Sequence, residues 1–220
     1  IANRQYNGLN ITIPYKKAVI PFCDRLSDSA RRIGAVNTLC FQDGQLWGTN
    51  TDYDGFLYAA EAAGISFYEK KVLILGNGGT SLTVRKAAAD KGAAEILITS
   101  RRSEKGCISY EELHHHRDIE IVINTTPVGT YPNNGERLIS LTDFPQCCGV
   151  IDVIYNPFAT DLLQQAEERK IPHSNGLPML VAQATAAAEH FLQEKGFKEE
   201  NVRILNKLRR EIENIVLIGM

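Results

Sequence analysis

Long apolar runs are missing from this chain, and no stretch approaches the roughly 20 residues that a membrane-spanning helix needs. Cysteine is scarce and poorly spaced for structural use. The five thiols include the adjacent Cys147 and Cys148 and form no C-x-x-C pair, so neither a disulfide framework nor a zinc site is expected. Reduced thiols in a cytoplasm are the expectation. An excess of either charge is also lacking. Lys and Arg total 24 against 26 Asp and Glu, for a net charge of -2 at pH 7, whereas a nucleic-acid binder normally presents a basic face. Internal repeats and low-complexity stretches are absent too. What remains is a chain of 220 residues, 44% hydrophobic and 23% charged, the mixture of an ordinary globular protein. It has room for one large domain or two small ones.

The first third reads as mixed α/β. Asn10-Ile11-Thr12-Ile13 alternates polar and apolar, so residues 9–13 read as a half-buried strand. Pro14 ends it, having no N–H for a ladder. Tyr15, Lys16 and Lys17 follow where a loop would ordinarily carry Gly, Asn or Asp. Two ammonium groups therefore stand at the mouth of a strand that also offers an amide and a hydroxyl. Residues 16–26 read as a short helix, 36–50 as a hairpin turning at Asp43-Gly44, and 53–63 as a helix closed by Gly64.

After Lys71 the character changes. VLIL (72–75) is continuously apolar, as a strand buried on both faces should be. A glycine turn and an Ala-rich helix to about Lys91 follow, then strands over 95–99, 119–124 and 150–155 and an amphipathic helix over 159–170. Residues 179–194 and 202–212 are helical in pattern. This alternation predicts an α/β fold with a Rossmann-like, doubly wound parallel sheet beside a smaller α/β unit. The expected divisions are 1–66, 67–176, a pair of helices over 177–213 that packs back on the first unit, and a final strand over 214–220. The chain opens on Ile1 without a methionine and closes on Ile215-Val216-Leu217-Ile218-Gly219-Met220, so it is expected to be part of something longer.

The turn Gly76-Asn77-Gly78-Gly79-Thr80-Ser81 joins a buried strand to a helix. Such a turn aims backbone N–H groups at a ligand from the positive end of a helix dipole. Gly76 allows the tight turn and Gly78 a close approach to a pyrophosphate, while Thr80 and Ser81 offer hydroxyls for a cap or a phosphate. An NAD site wants a carboxylate at the tip of the second strand, but EILIT runs into Ser100-Arg101-Arg102 with no acid before Glu104. A guanidinium suits a 2′-phosphate, so NADP is favoured. The competing reading is two solvated arginines on a loop.

The blocks GLNITIPYKK, GAVNTL, GTNTDYDG, LGNGGTS, NTTPVG, DVIYNP, TDLL and GLPMLVAQ, spread over residues 8–183, resemble the shikimate dehydrogenase family. Its members reduce 3-dehydroshikimate with NADPH in aromatic amino-acid biosynthesis. The resemblance implies Lys16 and Asp52 as a catalytic pair, and Asn10, Thr12, Asn37, Tyr155 and Gln183 as substrate contacts. It implies a cofactor set of Gly76, Asn77, Gly78, Gly79, Thr80, Ser100, Arg101, Arg102 and Thr125. A lysine there can protonate a developing alkoxide or stabilise its charge, and an aspartate can hold the ammonium and meet substrate hydroxyls.

Relative to the family pattern, the opening strand and helix are absent, so the substrate unit is expected to be incomplete. The stretch between Arg102 and Ile119 is short, and the helix expected there is lost. Arg85 and Lys86 stand where relatives are apolar or small, and Pro178 where they commonly have Gly. The tail NIVLIGM resembles the first strand of shikimate kinase, which implies a fused kinase domain; oligomeric state is left open.

Other readings stay open. A Lys–Asp pair is more often a surface ion pair than a dyad. Asn37 and Asn50 could serve turns, Gln183 could lie on a helix surface, and Tyr155 could be core. His114-His115-His116 cannot share one face of a helix or strand, so no metal is expected. Two rival functions remain: a quinate-using relative with NAD, and a non-catalytic dinucleotide-binding module.

Overall fold

The computed structural model describes residues 6–101 and 105–218. Two sheets organise the described residues. The first is built from β1 (Gly8–Asn10), β2 (Arg25–Leu26), β3 (Thr38–Gln42) and β4 (Gln45–Thr49) in the order β1-β3-β4-β2. The hairpin between β3 and β4 turns at Asp43 and Gly44, both left-handed at φ 50° and 74°. Two successive left-handed residues match the right-handed twist of paired strands.

The helix expected over 16–26 does not form. Pro21 removes a donor in its middle, and the chain makes only a 3-10 turn over Ile20–Phe22. Asp24 then pairs its backbone N–H and its carboxylate with Leu46, which draws Arg25–Leu26 alongside β4 as a strand. A helix that the sequence reading missed, α1 (Asp28–Ile33), follows directly. The Ser27 hydroxyl accepts from the Ala30 N–H at 3.1 Å, and Gly34 closes it at φ 72°.

The second sheet contains β5 (Lys71–Leu75), β6 (Glu95–Thr99), β7 (Ile121–Asn124), β8 (Gly149–Asp152) and the short β9 (His173–Ser174), which was also missed. All its pairings are parallel and its order is β6-β5-β7-β8-β9. The winding therefore reverses between β5 and β7, and the crevice beyond their carboxyl ends is where open sheets of this kind take ligands. Helices α3 (Gly79–Asp90) and α4 (Asp161–Glu168) supply the crossovers after β5 and β8. After β6 there is no α-helix among the described residues. Ile108 instead returns beside the strand end, donating to the Ile98 carbonyl at 2.9 Å.

Helices α2 (Asp52–Ala62) and α5 (Leu177–Leu192) pack together between the sheets. Phe56, Ala59 and Ala60 of α2 and Met179 of α5 share one buried cluster with Val72, Ile74, Ile121 and Ile123 of the parallel sheet. The end of α5 returns to the first sheet, where Phe191 lies over Gly8. Helix α6 (Asn201–Ile218) contradicts the expected strand at 214–220: residues through Ile218 continue the helix, and Gly219 and Met220 lie outside the described residues. No glycine or proline interrupts 201–218, and a helix satisfies its own backbone groups where a strand needs a neighbouring edge.

Helix α2 comes close to α5 at Gly55, where an added Cβ would stand 2.6 Å from the Met179 carbonyl oxygen and 3.0 Å from Gln183 Cβ. Gly55→Ala is expected to destabilise the fold by about 1–3 kcal/mol through overpacking, read as a lower midpoint in urea. An unchanged midpoint would show that the two helices slide apart freely.

Candidate active site

The turn after β1 begins with the Tyr15 N–H donating to the Thr12 carbonyl at 2.9 Å, and the Lys16 carbonyl accepts from the Val36 N–H at 2.8 Å. These bonds fix the backbone of Lys16 against the first sheet. Its Nζ lies 2.6 Å from Asp52 Oδ2, and the two side chains are only 13% and 10% exposed. Asp52 is the first residue of α2, where the helix dipole favours a negative charge. Enclosing both charges costs desolvation that their attraction does not reliably return, so stability alone is a weak reason for the pair. The Lys16 stem also reaches the other sheet: its Cδ is 3.7 Å from where a Gly79 Cβ would stand, at the start of α3.

Asn37 is buried beside this pair. Its Oδ1 accepts from the Thr51 N–H at 2.7 Å and from the Thr38 hydroxyl at 3.0 Å, and its Nδ2 donates to Thr51 Oγ1 at 3.0 Å. The amide therefore locks the residue that precedes Asp52. Asn10 is exposed and stands opposite Thr38 in the β1–β3 register, and Thr12 is exposed in the turn. Gln183 is half-buried on α5 against Gly55, with its amide donating to the Leu180 carbonyl at 3.0 Å. Tyr155 follows β8 and is 47% exposed, so it is not a core residue.

At the carboxyl edge of the parallel sheet, a cleft of about 630 Å³ is lined by Gly76, Asn77, Gly78, Ser100, Arg101 and Thr125. Ile13, near Lys16, closes one side. Gly76 must be glycine twice over: its φ is 97°, and a Cβ would strike Thr126 Cγ2 at 2.7 Å. A Cβ on Gly78 would meet nothing within 4 Å, so it would intrude only on open space. Helix α3 starts at Gly79-Thr80 with no side-chain cap, which leaves its first amides for another acceptor. Ser81 Oγ and Thr99 Oγ1, buried in α3 and at the end of β6, have no partner among the described residues. Glycine turn, uncapped helix start and flanking arginine together fit a dinucleotide phosphate. Arg102, expected beside Arg101, lies outside the described residues. A larger cleft of about 710 Å³, among α4, α5 and α6, contains none of the expected residues.

The sequence reading missed the network beneath this edge. Asp152, fully buried, accepts from the Thr160 hydroxyl at 2.7 Å, the Ile154 N–H at 3.0 Å and Asn124 Nδ2 at 3.1 Å. Asn124 Oδ1 in turn accepts from the Thr126 N–H and hydroxyl. One carboxyl thus ties the loop after β7 to the loop after β8 and to the start of α4. Burial pushes its pKa up, against the opposing pull of these three donors. The motifs NTTP and DVIYNP were visible, but no local pattern says that their polar residues turn inward onto each other.

Residues 1–39 match the sequence model described as the shikimate dehydrogenase substrate binding domain. The NADP(+) shikimate dehydrogenase of Geobacillus sp. (strain WCH70) is 37% identical over 199 residues, covering 83% of this chain and 72% of the relative. The chain belongs to the shikimate dehydrogenase family. The Clostridium perfringens (strain 13) enzyme is 36% identical over 192 residues, covering 83% of this chain and 71% of the relative. The shikimate dehydrogenase family is equally plain in three dimensions. A chorismate mutase/shikimate 5-dehydrogenase fusion from Clostridium acetobutylicum superposes with a TM-score of 0.87 at 34% identity, covering 94% of this chain and 78% of that one. The Thermus thermophilus shikimate 5-dehydrogenase, in complex with NADP(H) and shikimate, superposes with a TM-score of 0.79 at 29% identity, covering 93% and 81%.

The buried carboxyl has a pH signature. Because the Asp152 pKa is raised by burial, the stability it contributes is complete below its unfolded value, 3.8, and is lost as pH rises through the higher native value. Relative to wild type, Asp152→Asn should therefore become more stable as pH rises above the unfolded value of 3.8, measured by urea unfolding of both proteins. A difference that does not change with pH would show that the three donors cancel the effect of burial.

Proposed function

We propose that this chain catalyses the reversible, NADPH-dependent reduction of 3-dehydroshikimate to shikimate, with Lys16 and Asp52 as its catalytic pair. The observation that carries the reading is the enclosed 2.6 Å contact between Lys16 Nζ and Asp52 Oδ2, set where the first sheet meets the glycine turn. NADPH, when bound, supplies the hydride. The carbonyl oxygen then needs a proton, and Lys16 Nζ is the donor poised for it. Asp52 holds the ammonium in place and accepts from a neighbouring substrate hydroxyl. Asn10, Thr12, Asn37, Tyr155 and Gln183 supply amide and hydroxyl partners to a polyhydroxy acid, whose polar groups are costly to bury unpaired. Asn37 adds a second task, since its amide already holds Thr51 and thereby the start of α2.

Residues 1–66 act as the substrate unit and 67–176 as the cofactor unit in this reading. Gly76, Asn77, Gly78, Gly79 and Thr80 take the pyrophosphate at the start of α3, with Thr125 across the turn. Ser100, Arg101 and Arg102 take the 2′-phosphate. No helix is long and apolar enough to cross a membrane among the described residues. The fused-kinase reading rests on the likeness of residues 214–220 in sequence alone, and the helix there lends it no support.

NADPH absorbance with shikimate and NADP tests the proposal. Lys16→Ala should lower kcat by about 10²–10⁴ with a smaller change in KM. Asp52→Asn should lower kcat less. A protein that turns over neither shikimate nor quinate, with either NADP or NAD, would leave only a dinucleotide-binding module. Arg101→Ala should raise KM for NADP by about tenfold while leaving KM for NAD unchanged, as expected for one lost charge-assisted hydrogen bond; equal effects on both would move the 2′-phosphate elsewhere.

A further inference from the structure

The cofactor cleft has apolar lining residues that neither the glycine turn nor the arginine accounts for. Tyr110, Leu138 and Val128 line the same cleft as Ser100 and Arg101. Tyr110 belongs to the stretch between β6 and β7 where no α-helix forms among the described residues, and its position is set by two devices. Ile108 is pinned beside the end of β6, its N–H on the Ile98 carbonyl at 2.9 Å and its carbonyl accepting from the Ser100 N–H at 3.3 Å. Ser109 and Glu112 then cap each other: Glu112 Oε2 accepts from the Ser109 N–H at 2.6 Å, and Ser109 Oγ from the Glu112 N–H at 3.3 Å. Tyr110 lies between the two capping residues and opens the 3-10 turn Glu111–His115. The ring packs on the core cluster that contains Leu113 and Ile119 and also lines the cleft, so it is half-buried and held.

Distance along a dinucleotide decides what meets that ring. With the pyrophosphate at Gly76–Gly78 and the adenosine ribose at Ser100-Arg101, the base attached to that ribose comes beside the segment that Ile108 pins to Ser100, two residues before Tyr110. We infer that Tyr110 is the stacking platform for the adenine ring, a role that rests on the dinucleotide reading above. A phenol ring offers a flat π-face at little entropic cost, and here the capping pair removes most of the remaining backbone freedom. Stacking needs the ring and not its hydroxyl.

Calorimetry with adenosine 2′,5′-bisphosphate and, separately, with nicotinamide mononucleotide tests this on the whole chain. Tyr110→Ala should weaken the adenosine probe by about tenfold, in the range of base–aromatic stacking, and leave the nicotinamide probe unchanged. Tyr110→Leu, which keeps an apolar side chain on the core, should lose the same affinity, and Tyr110→Phe should bind as wild type does. The hypochromic change in adenine absorbance on binding should disappear in the Ala and Leu variants and persist in Phe. Wild-type affinity in both the Ala and the Leu variants would remove Tyr110 from the site while the dinucleotide reading stands. Failure of the wild-type protein to bind either the adenosine probe or NADP would overturn both.

Discussion

The packing of α2 against α5, at a separation that only a glycine at position 55 permits, holds the two sheets in one arrangement. Helix α2 carries Asp52 on its first residue and Phe56, Ala59 and Ala60 in the shared core. Its start is tied at both ends of the junction. Asn50 donates to the Ala35 carbonyl at 2.9 Å and to Thr83 Oγ1 of α3 at 3.3 Å, and the Tyr53 hydroxyl donates to Asp90 at 2.9 Å. Burial first, and then the bond to Asp90, pushes the Tyr53 pKa up to about 12, so the hydroxyl keeps its donor proton at any ordinary pH. Every polar contact of Asp52 inherits its precision from these neighbours.

The chemistry is therefore divided between two surfaces that neither sheet supplies alone. The turn after β1 offers an ammonium, and α2 offers the carboxylate that holds it. The parallel sheet offers uncapped amides, an arginine and an apolar slot at its switch point. Beneath that edge, Asp152 joins three segments through three donors, so the loop that carries Thr125 and the loop that carries Tyr155 are tied to one carboxyl. A buried, hydrogen-bonded network of this kind favours a single arrangement of its loops, because any half-made version leaves polar groups unpaired.

Much of this was legible beforehand because it is local. The hairpin over 36–50, the buried strand at 72–75 and the glycine turn each announce themselves through period, turn residues or apolar continuity. The misreadings have separate causes. Residues 16–26 looked helical by spacing, but Pro21 and the pairing of Asp24 with Leu46 across 22 positions made a strand of Arg25–Leu26 instead. At 214–218 an apolar, β-branched run looked like a strand and continues a helix. The first segment was settled by the strand alongside it, the second by a helix that satisfies its own backbone groups.

Residue types and their order along the chain determined the fold class, the parallel sheet, the glycine cradle and the family, since these depend on periodicity and on motifs that are contiguous. Tertiary structure alone decided that the Lys16–Asp52 contact is enclosed, with side chains only 13% and 10% exposed, that Asp152 is fully buried beneath the carboxyl edge of the parallel sheet, and that Tyr110 lines the cleft there. Each of those depends on which surfaces close against one another and on how much water they exclude. Exclusion of water is a property of the packed whole, and no stretch of sequence carries it.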